Sequence, residues 1–194
     1  MLPDWPKLVL FVAACLALLV TPGPAVLYIV TRSVDQGRTA GLVSALGVGV
    51  GTLFHVAGAA LGLSALLASS VLAFRGAKYL GAAYLAYLGL RKWLNSTAPY
   101  QARAPASQRL TRIFSQGVIV NLLNPKTALF IFAFLPQFVD PARGTVGGQI
   151  AVLGVLLVSL GICSDSLYAL LAGTMGHWLR GNLGFWRAQR YFAG

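Results

Sequence analysis

Five stretches of the chain, roughly residues 8–30, 40–68, 71–90, 115–138 and 148–173, stay apolar over the length that a helix needs to cross a bilayer. About 20 mostly apolar residues meet that need. In lipid every backbone N–H and C=O must be satisfied within the protein, which a helix does by itself. Charged residues make up only 10% of the 194-residue chain and hydrophobic ones 57%, against about 25% charged in soluble domains. The expected fold class is therefore an all-α integral membrane protein, with residues 1–194 forming a single transmembrane domain.

Two of the spans interrupt their own helical pattern. The first reads "LLVTPGPAVL" over residues 18–27, and the fourth reads "NLLNPKTALFIF" over 121–132. A proline inside a helix removes one hydrogen bond and clashes with the preceding turn, at about 3 kcal/mol. In a membrane the freed carbonyls must find other protein groups or a wet cavity. Laying Thr21-Pro22-Gly23-Pro24-Ala25 over Asn124-Pro125-Lys126-Thr127-Ala128 brings a proline onto a proline and an alanine onto an alanine. "ALGVGVGT" from Ala45 then matches "VLGVLLVS" from Val152, and "KYLGA" at 78–82 matches "RYFAG" at 190–194, in the same order. Each half holds an odd number of spans, so the two halves cross the membrane in opposite senses. The expected plan is an inverted repeat of three plus three transmembrane helices, with Pro-broken helices one and four. The breaks fall at Pro22, Gly23, Pro24 and Pro125. Repeat one covers 1–90, a polar linker 91–114 and repeat two 115–194, with the sixth helix missing or truncated in this chain.

The net charge is +11, yet the cations sit between apolar runs and form no stripe interleaved with exposed aromatics, which argues against a nucleic-acid partner. One set of loops carries Arg32, Arg38, Arg91, Lys92, Arg103, Arg109, Arg112, Arg180, Arg187 and Arg190; the other carries Lys7, Arg75 and Arg143, with Lys78 just inside the third span. Lys and Arg mark cytoplasmic loops, so the N-terminus is expected outside and the linker in the cytoplasm. Cys15 and Cys163 lie in apolar runs and are expected to be small buried side chains. "VAAC" at 12–15 loosely matches a lipoprotein cleavage site, but the apolar run continues past it, so an uncleaved span is expected.

"TPGP" in the first span, "KYLGAAYLAYLGL" in the third and "NLLNPKTALFIFAFLPQF" in the fourth together resemble the lysine-exporter and homoserine/threonine-resistance (LysE/RhtB) family of amino-acid efflux proteins. The resemblance runs over nearly the whole chain. It implies a multi-pass transporter of the bacterial inner membrane that exports amino acids or their derivatives, driven by the proton gradient. Its partners would be a small amino-acid substrate, protons and the lipid bilayer, with a homo-oligomer compatible.

The residues themselves nominate a site. Lys126 lies mid-span, about 15 Å or more from water by helix rise, where an ammonium costs about 2.5–3.5 kcal/mol and faces a cavity or a partner. It either binds the substrate carboxylate or serves as a structural cation on carbonyls freed at the Thr21–Pro24 break. Asp165 is the acid well inside a span, and intramembrane carboxylates mark ion pathways; it is a candidate for the substrate ammonium, for the coupling proton or for an ion pair with Lys126. Tyr168, one turn along, is placed to hydrogen-bond Asp165. His55 suits proton coupling by its ordinary pKa, although a histidine bonded to a neighbouring helix is the plainer reading. Thr21 and Asn124 precede the prolines and are candidates either for freed backbone groups or for substrate. Gly47, Gly49, Gly51, Gly58 and Gly62 read as a surface for close helix packing.

No cofactor or metal is expected, because glutamate is absent and His55 and His177 are far apart in the sequence, leaving no ligand cluster for metal-dependent hydrolysis. An enzyme is therefore not expected. A secondary transporter exporting amino acids by proton antiport fits best; a structural membrane subunit is the alternative, and a membrane-embedded enzyme ranks after it.

Overall fold

The computed structural model describes residues 3–69 and 108–181 together with Gly76, with side chains over 3–62, 76 and 108–176. The third expected span, most of the linker and the "KYLGA" and "RYFAG" pair lie outside the described residues. Among those described, the structure is all helical.

Helix α1 spans Trp5–Val20 and α2 spans Pro24–Gln36, with a bend of 53° between them. Helix α3 follows over Arg38–Ser69. After the linker come α4 at Leu110–Leu122 and the short α5 at Pro125–Leu129. The chain continues from α5 through a π-helical turn at Phe130–Phe134 and a 3-10 turn at Leu135–Phe138. This second pair of segments bends by 51°. Helix α6 covers Val146–Gly181. The stretches Arg38–Gly62 and Val146–Gly176 are long and apolar enough to cross a membrane singly, and the two bent pairs meet the same requirement as units. Leu10, Phe54, Leu61, Val155 and Leu167 are exposed along these helices, as befits side chains whose solvent is lipid rather than water.

Pro24 and Pro125 open their helices rather than interrupt them. The first helical position needs no N–H, and the proline ring presets the helical φ. The first helical pair is longer than the apolar run. It reaches Gln36, so Arg32 is a helical residue, only 6% exposed, instead of a loop cation. Its guanidinium donates to Gln36 Oε1 at 3.3 Å and Gln116 Oε1 at 3.0 Å and lies 5.5 Å from the Tyr28 ring centroid. Tyr28 Oη donates to Ile113 O at 2.7 Å and Gln36 Nε2 to Gln108 O at 3.0 Å. Residues 28, 32 and 36 thus form a polar ladder along one face of α2, bonded to α4 and the residues just before it.

Helix α3 packs against α4 and α6, and α2 against α3 and α6. The α3–α4 approach is tight: a Cβ at Gly47 would lie 2.3 Å from Phe114 O, and one at Gly117 2.8 Å from Ser44 O. Small residues at such crossings let backbones meet in the absence of a hydrophobic drive. Gly51 belongs to the same surface, Gly49 faces Ile162 of α6 instead, and a Cβ at Gly62 would meet nothing within 4 Å. Two apolar clusters result. One joins Phe11, Cys15, Phe130, Leu135, Phe138 and Leu157, and the other joins Ala25, Ile29, Ala45, Val48 and Ala169. Cys15 is buried as expected, but Cys163 is exposed on α6. An apolar run in lipid carries outward-facing residues as well as core ones, so apolarity alone does not locate a cysteine.

Candidate functional site

Each proline at the breaks withdraws the N–H that would have reached the carbonyl four residues earlier. Pro22 deprives Leu18, Pro24 deprives Val20 and Pro125 deprives Asn121. The structure supplies a replacement donor to all three. Lys126 Nζ donates to Leu18 O at 2.5 Å and also to Thr21 O. Tyr168 Oη donates to Val20 O at 3.2 Å. His55 Nε2 meets Asn121 O at 3.0 Å, and since a carbonyl only accepts, Nε2 carries the proton there. Asn124 N also donates to Asn121 O, at 3.1 Å. Tyr168 therefore bonds the end of α1 and not Asp165, the partner suggested by its spacing. The break in α1 draws the phenol because a carbonyl without water must have a donor. Thr21 is exposed, and its hydroxyl returns to Ala17 O at 2.9 Å within its own helix.

The second break is held by a side-chain network. Asn124 caps α5, its Oδ1 accepting from Lys126 N at 3.1 Å, the usual way an N-cap satisfies a first-turn amide. Its Nδ2 donates to Asn121 Oδ1 at 3.3 Å, and Thr127 Oγ1 donates to the same oxygen at 2.9 Å. Asn121, 1% exposed, gives its own Nδ2 protons to Val48 O at 2.9 Å and Thr52 Oγ1 at 2.8 Å. One amide thus ties α3 to both sides of the break. A connected network of this kind rigidifies what it joins.

A cavity with an open mouth lies beside the two breaks. Lys126, Asn121, Asn124, Thr127 and Thr52 line one part of it, Gly23 and Leu18 come from the first break, and Asp165, Val158 and Ile162 come from α6. Among the described residues, Lys126 and Asp165 are the charged ones of its wall. Asp165 is 6% exposed. The cavity thus brings together Lys126, Asp165 and Asn124, with Gly23 beside them. His55 and Tyr168 stand behind, on the backbone of the breaks, and Thr21 touches the site through its carbonyl. Among the described residues no group of three or more His, Cys, Asp or Glu is placed to hold a metal ion.

Sequence reasoning missed Asn121, Thr52 and Thr127. Asn121 had a usable signal, being a second polar amide in the apolar run three residues before Asn124, where unsatisfied polarity is expensive. Thr52 had none, because a helical threonine commonly bonds its own backbone, as Thr52 Oγ1 does to Val48 O at 3.1 Å.

Comparison with known proteins agrees with the helical plan. The family model described as LysE type translocator matches residues 16–194. A homoserine/homoserine lactone efflux protein of Salmonella typhimurium is 32% identical over 161 residues, covering 83% of this chain and 78% of that protein. An uncharacterized membrane protein of Vibrio cholerae is 34% identical, covering 82% and 77%, and a leucine efflux protein of Salmonella choleraesuis is 29% identical, covering 87% and 80%. No solved structure matches the chain. A match that takes in both breaks, the network around Asn121 and the cavity between them leaves one conclusion: the chain is a membrane protein of the LysE-type translocator family.

Proposed function

We propose that the chain is a secondary transporter that exports amino acids or their derivatives from the cytoplasm by proton antiport. The observation that carries the reading is a cavity at the meeting of two broken spans, with one ammonium and one carboxylate in its wall. Relatives named as efflux proteins for homoserine, homoserine lactone and leucine support a small amino-acid cargo. Lys126, beside the Asn124 amide, suits a carboxylate; Asp165 suits either the coupling proton or the substrate ammonium. The arrangement calls for no cofactor and is not that of an enzyme.

An inverted repeat accounts for the pairing of elements. If α1, α2 and α3 correspond to α4, to α5 with its following turns, and to α6, then α1 against α6 mirrors α4 against α3, and α2 against α6 mirrors the turn after α5 against α3; all four contacts occur. Gly23, the N-cap of α2, meets Lys126 of the other break: a Cβ on Gly23 would lie 3.2 Å from Lys126 Cδ. Two breaks meeting in this way suit a pseudo-two-fold axis through the cavity. The Lys/Arg distribution puts the N-terminus outside and the end bearing Arg38, Arg109 and Arg112 in the cytoplasm of a bacterial inner-membrane protein. Protons and lipid are its other partners, and a homo-oligomer is compatible.

One observation favours the second reading, a structural role, because Lys126 is bonded to the carbonyls of α1. Asp165→Asn separates the two, since it leaves every one of those bonds in place while removing an ionisable group of nearly unchanged volume. In proteoliposomes loaded with labelled amino acids, this variant is expected to keep downhill exchange and lose efflux driven by a proton gradient. Gradient-driven efflux at the unsubstituted rate would remove Asp165 from proton coupling. If Lys126 and Asp165 form only a structural pair, the double variant Lys126→Met with Asp165→Asn regains both stability and efflux.

A further inference from the structure

The two broken spans are joined at both of their ends, and the joints are reciprocal. The start of the first meets the end of the second: Asp4, the N-cap of α1, pairs with Arg143, which lies just beyond the second span and also reaches Asp140 Oδ2 through its Nε at 3.3 Å. Asp140 is fixed in turn to α6, its N donating to Gln149 Oε1 at 3.0 Å and its O accepting from Gln149 Nε2 at 2.8 Å. The end of the first span meets the start of the second. There Tyr28 and Gln36 of α2 donate to Ile113 O and Gln108 O, and Arg32 donates to Gln116 Oε1. The cavity takes wall residues from the middle of both spans, among them Leu18, Gly23, Asn124 and Lys126. By helix rise Asp4 stands about 21 Å from Leu18 along α1, and Arg32 about 14 Å from Gly23 along α2, in the other direction from the break. One joint therefore lies to each side of the cavity along the broken spans.

We infer that these two joints are the gates of the cavity, Asp4–Arg143–Asp140 at one face of the membrane and Tyr28–Arg32–Gln36 with α4 at the other. This rests on the transporter reading above, which requires access from the two faces in turn. The kind of contact at each seam supports the assignment. Helix α2 meets α3 and α6 backbone to backbone: a Cβ at Gly41 would lie 1.8 Å from Ser33 Oγ, and one at Gly176 3.0 Å from Val34 Cα. It meets α4 through long polar side chains instead. Close-packed seams part only by repacking, whereas a polar contact exchanges its partner for water at small net loss. The two gates are unequal. Asp4 and Arg143 are half-exposed, and exposed ion pairs hold weakly. The other gate spends three side chains on successive turns of α2, with Arg32 buried, so it is the firmer.

The test is the sidedness of access to the cavity. In the full chain carrying Cys163→Ser, Val158→Cys places a thiol in the cavity wall, and its reaction with an impermeant maleimide is timed in right-side-out and in inverted vesicles. Tyr28→Phe removes the bond to Ile113 O and keeps the ring beside Arg32; it is expected to raise labelling from one face by about 5-fold, the value of one hydrogen bond. Asp4→Asn weakens the exposed pair and is expected to raise labelling from the opposite face by about 2-fold. Both changes are mild enough to leave the chain folded, and Arg32→Gln and Arg143→Gln are expected to repeat the two effects more strongly. Contacts that only hold the helices together would lower the unfolding midpoint and leave the ratio of labelling between the two faces unchanged, and that result overturns the inference. So does a rise on the same face for both joints. Efflux of amino acids by a chain whose labelling does not respond overturns the gates and leaves the transporter standing. Opposite labelling shifts in a chain that moves no amino acid support the gates and remove the transporter reading.

Discussion

The two broken spans bend almost alike, by 53° and 51°, yet they satisfy their lost hydrogen bonds differently. At the first break two prolines free the carbonyls of Leu18 and Val20, and both donors come from the other half of the chain, an ammonium and a phenol. At the second, one proline frees Asn121 O, which takes an imidazole N–H from α3 and a backbone N–H from Asn124. The new helix after that break has a side-chain cap in Asn124, whereas Gly23 before α2 has no side chain to offer. The difference teaches that the first break takes both of its donors from the other half of the chain, whereas the second takes one from α3 and one from its own backbone.

The largest effect should follow removal of the ammonium. Lys126→Met takes donors from Leu18 O and Thr21 O, and bonds to a charged group are worth about 1.5–3 kcal/mol each. Removing a cation from mid-membrane offsets part of that loss, about 2.5–3.5 kcal/mol on insertion scales. A net destabilisation of about 2 kcal/mol is expected, with loss of efflux. Tyr168→Phe, which leaves Val20 O without its phenol, should cost about 1 kcal/mol. Denaturant unfolding in detergent compares the two. An equal or larger effect at Tyr168 would mean that the ammonium is not what holds the first break.

Much of this frame could be read from the residues. Apolar runs of membrane length give the all-helical fold and helices long enough to span, because lipid permits few other solutions. Lys126 and Asp165 declared themselves by the expense of charge in an apolar run, and both line the cavity. Their partners were harder. The spacing of Tyr168 and Asp165 suggested a bond along one helix, but the freed Val20 carbonyl on another helix took the hydroxyl. Arg32 looked like a loop cation because the helical pair continues past the apolar run, closed by Gln36 and Gln116. Which neighbour a buried polar group chooses depends on tertiary distance, and a one-dimensional pattern does not carry that.

The second break can be probed at its cap. Asn124→Ala removes the acceptor for Lys126 N and one of the donors to Asn121 Oδ1. Loss of an N-cap costs about 1 kcal/mol, and Thr127 still donates to Asn121 Oδ1. Unfolding should therefore move by about that amount, while substrate affinity in the exchange assay falls further, because the N–H assigned to the carboxylate goes with the side chain. Asn124→Asp sharpens the point. It keeps the capping oxygen but has no N–H to give and adds a negative charge, so stability should largely return and carboxylate affinity should not. Recovery of both would assign Asn124 to capping alone.

The smallest effect belongs to Gly23, the N-cap of α2 beside Lys126. Its backbone is extended, with φ near −141°, so alanine meets no conformational penalty and narrows the unfolded ensemble, a gain of about 0.4–1 kcal/mol. Against this, the new Cβ would lie 3.2 Å from Lys126 Cδ and 3.8 Å from Nζ. The neighbour is the far part of a flexible side chain, which gives way by a few tenths of an ångström. The two effects nearly cancel, and Gly23→Ala should unfold within about 0.5 kcal/mol of the unsubstituted chain. Transport is the more sensitive readout, because the displaced atoms are those that carry the cavity's positive charge, and a loss of substrate affinity at unchanged stability is expected. Gly23→Val extends the series by placing two methyl groups where Lys126 runs, and should approach the Lys126→Met phenotype. If alanine already does so, the glycine serves the backbone of the break itself, and the dependence of that break on Lys126 is not the reason for its place.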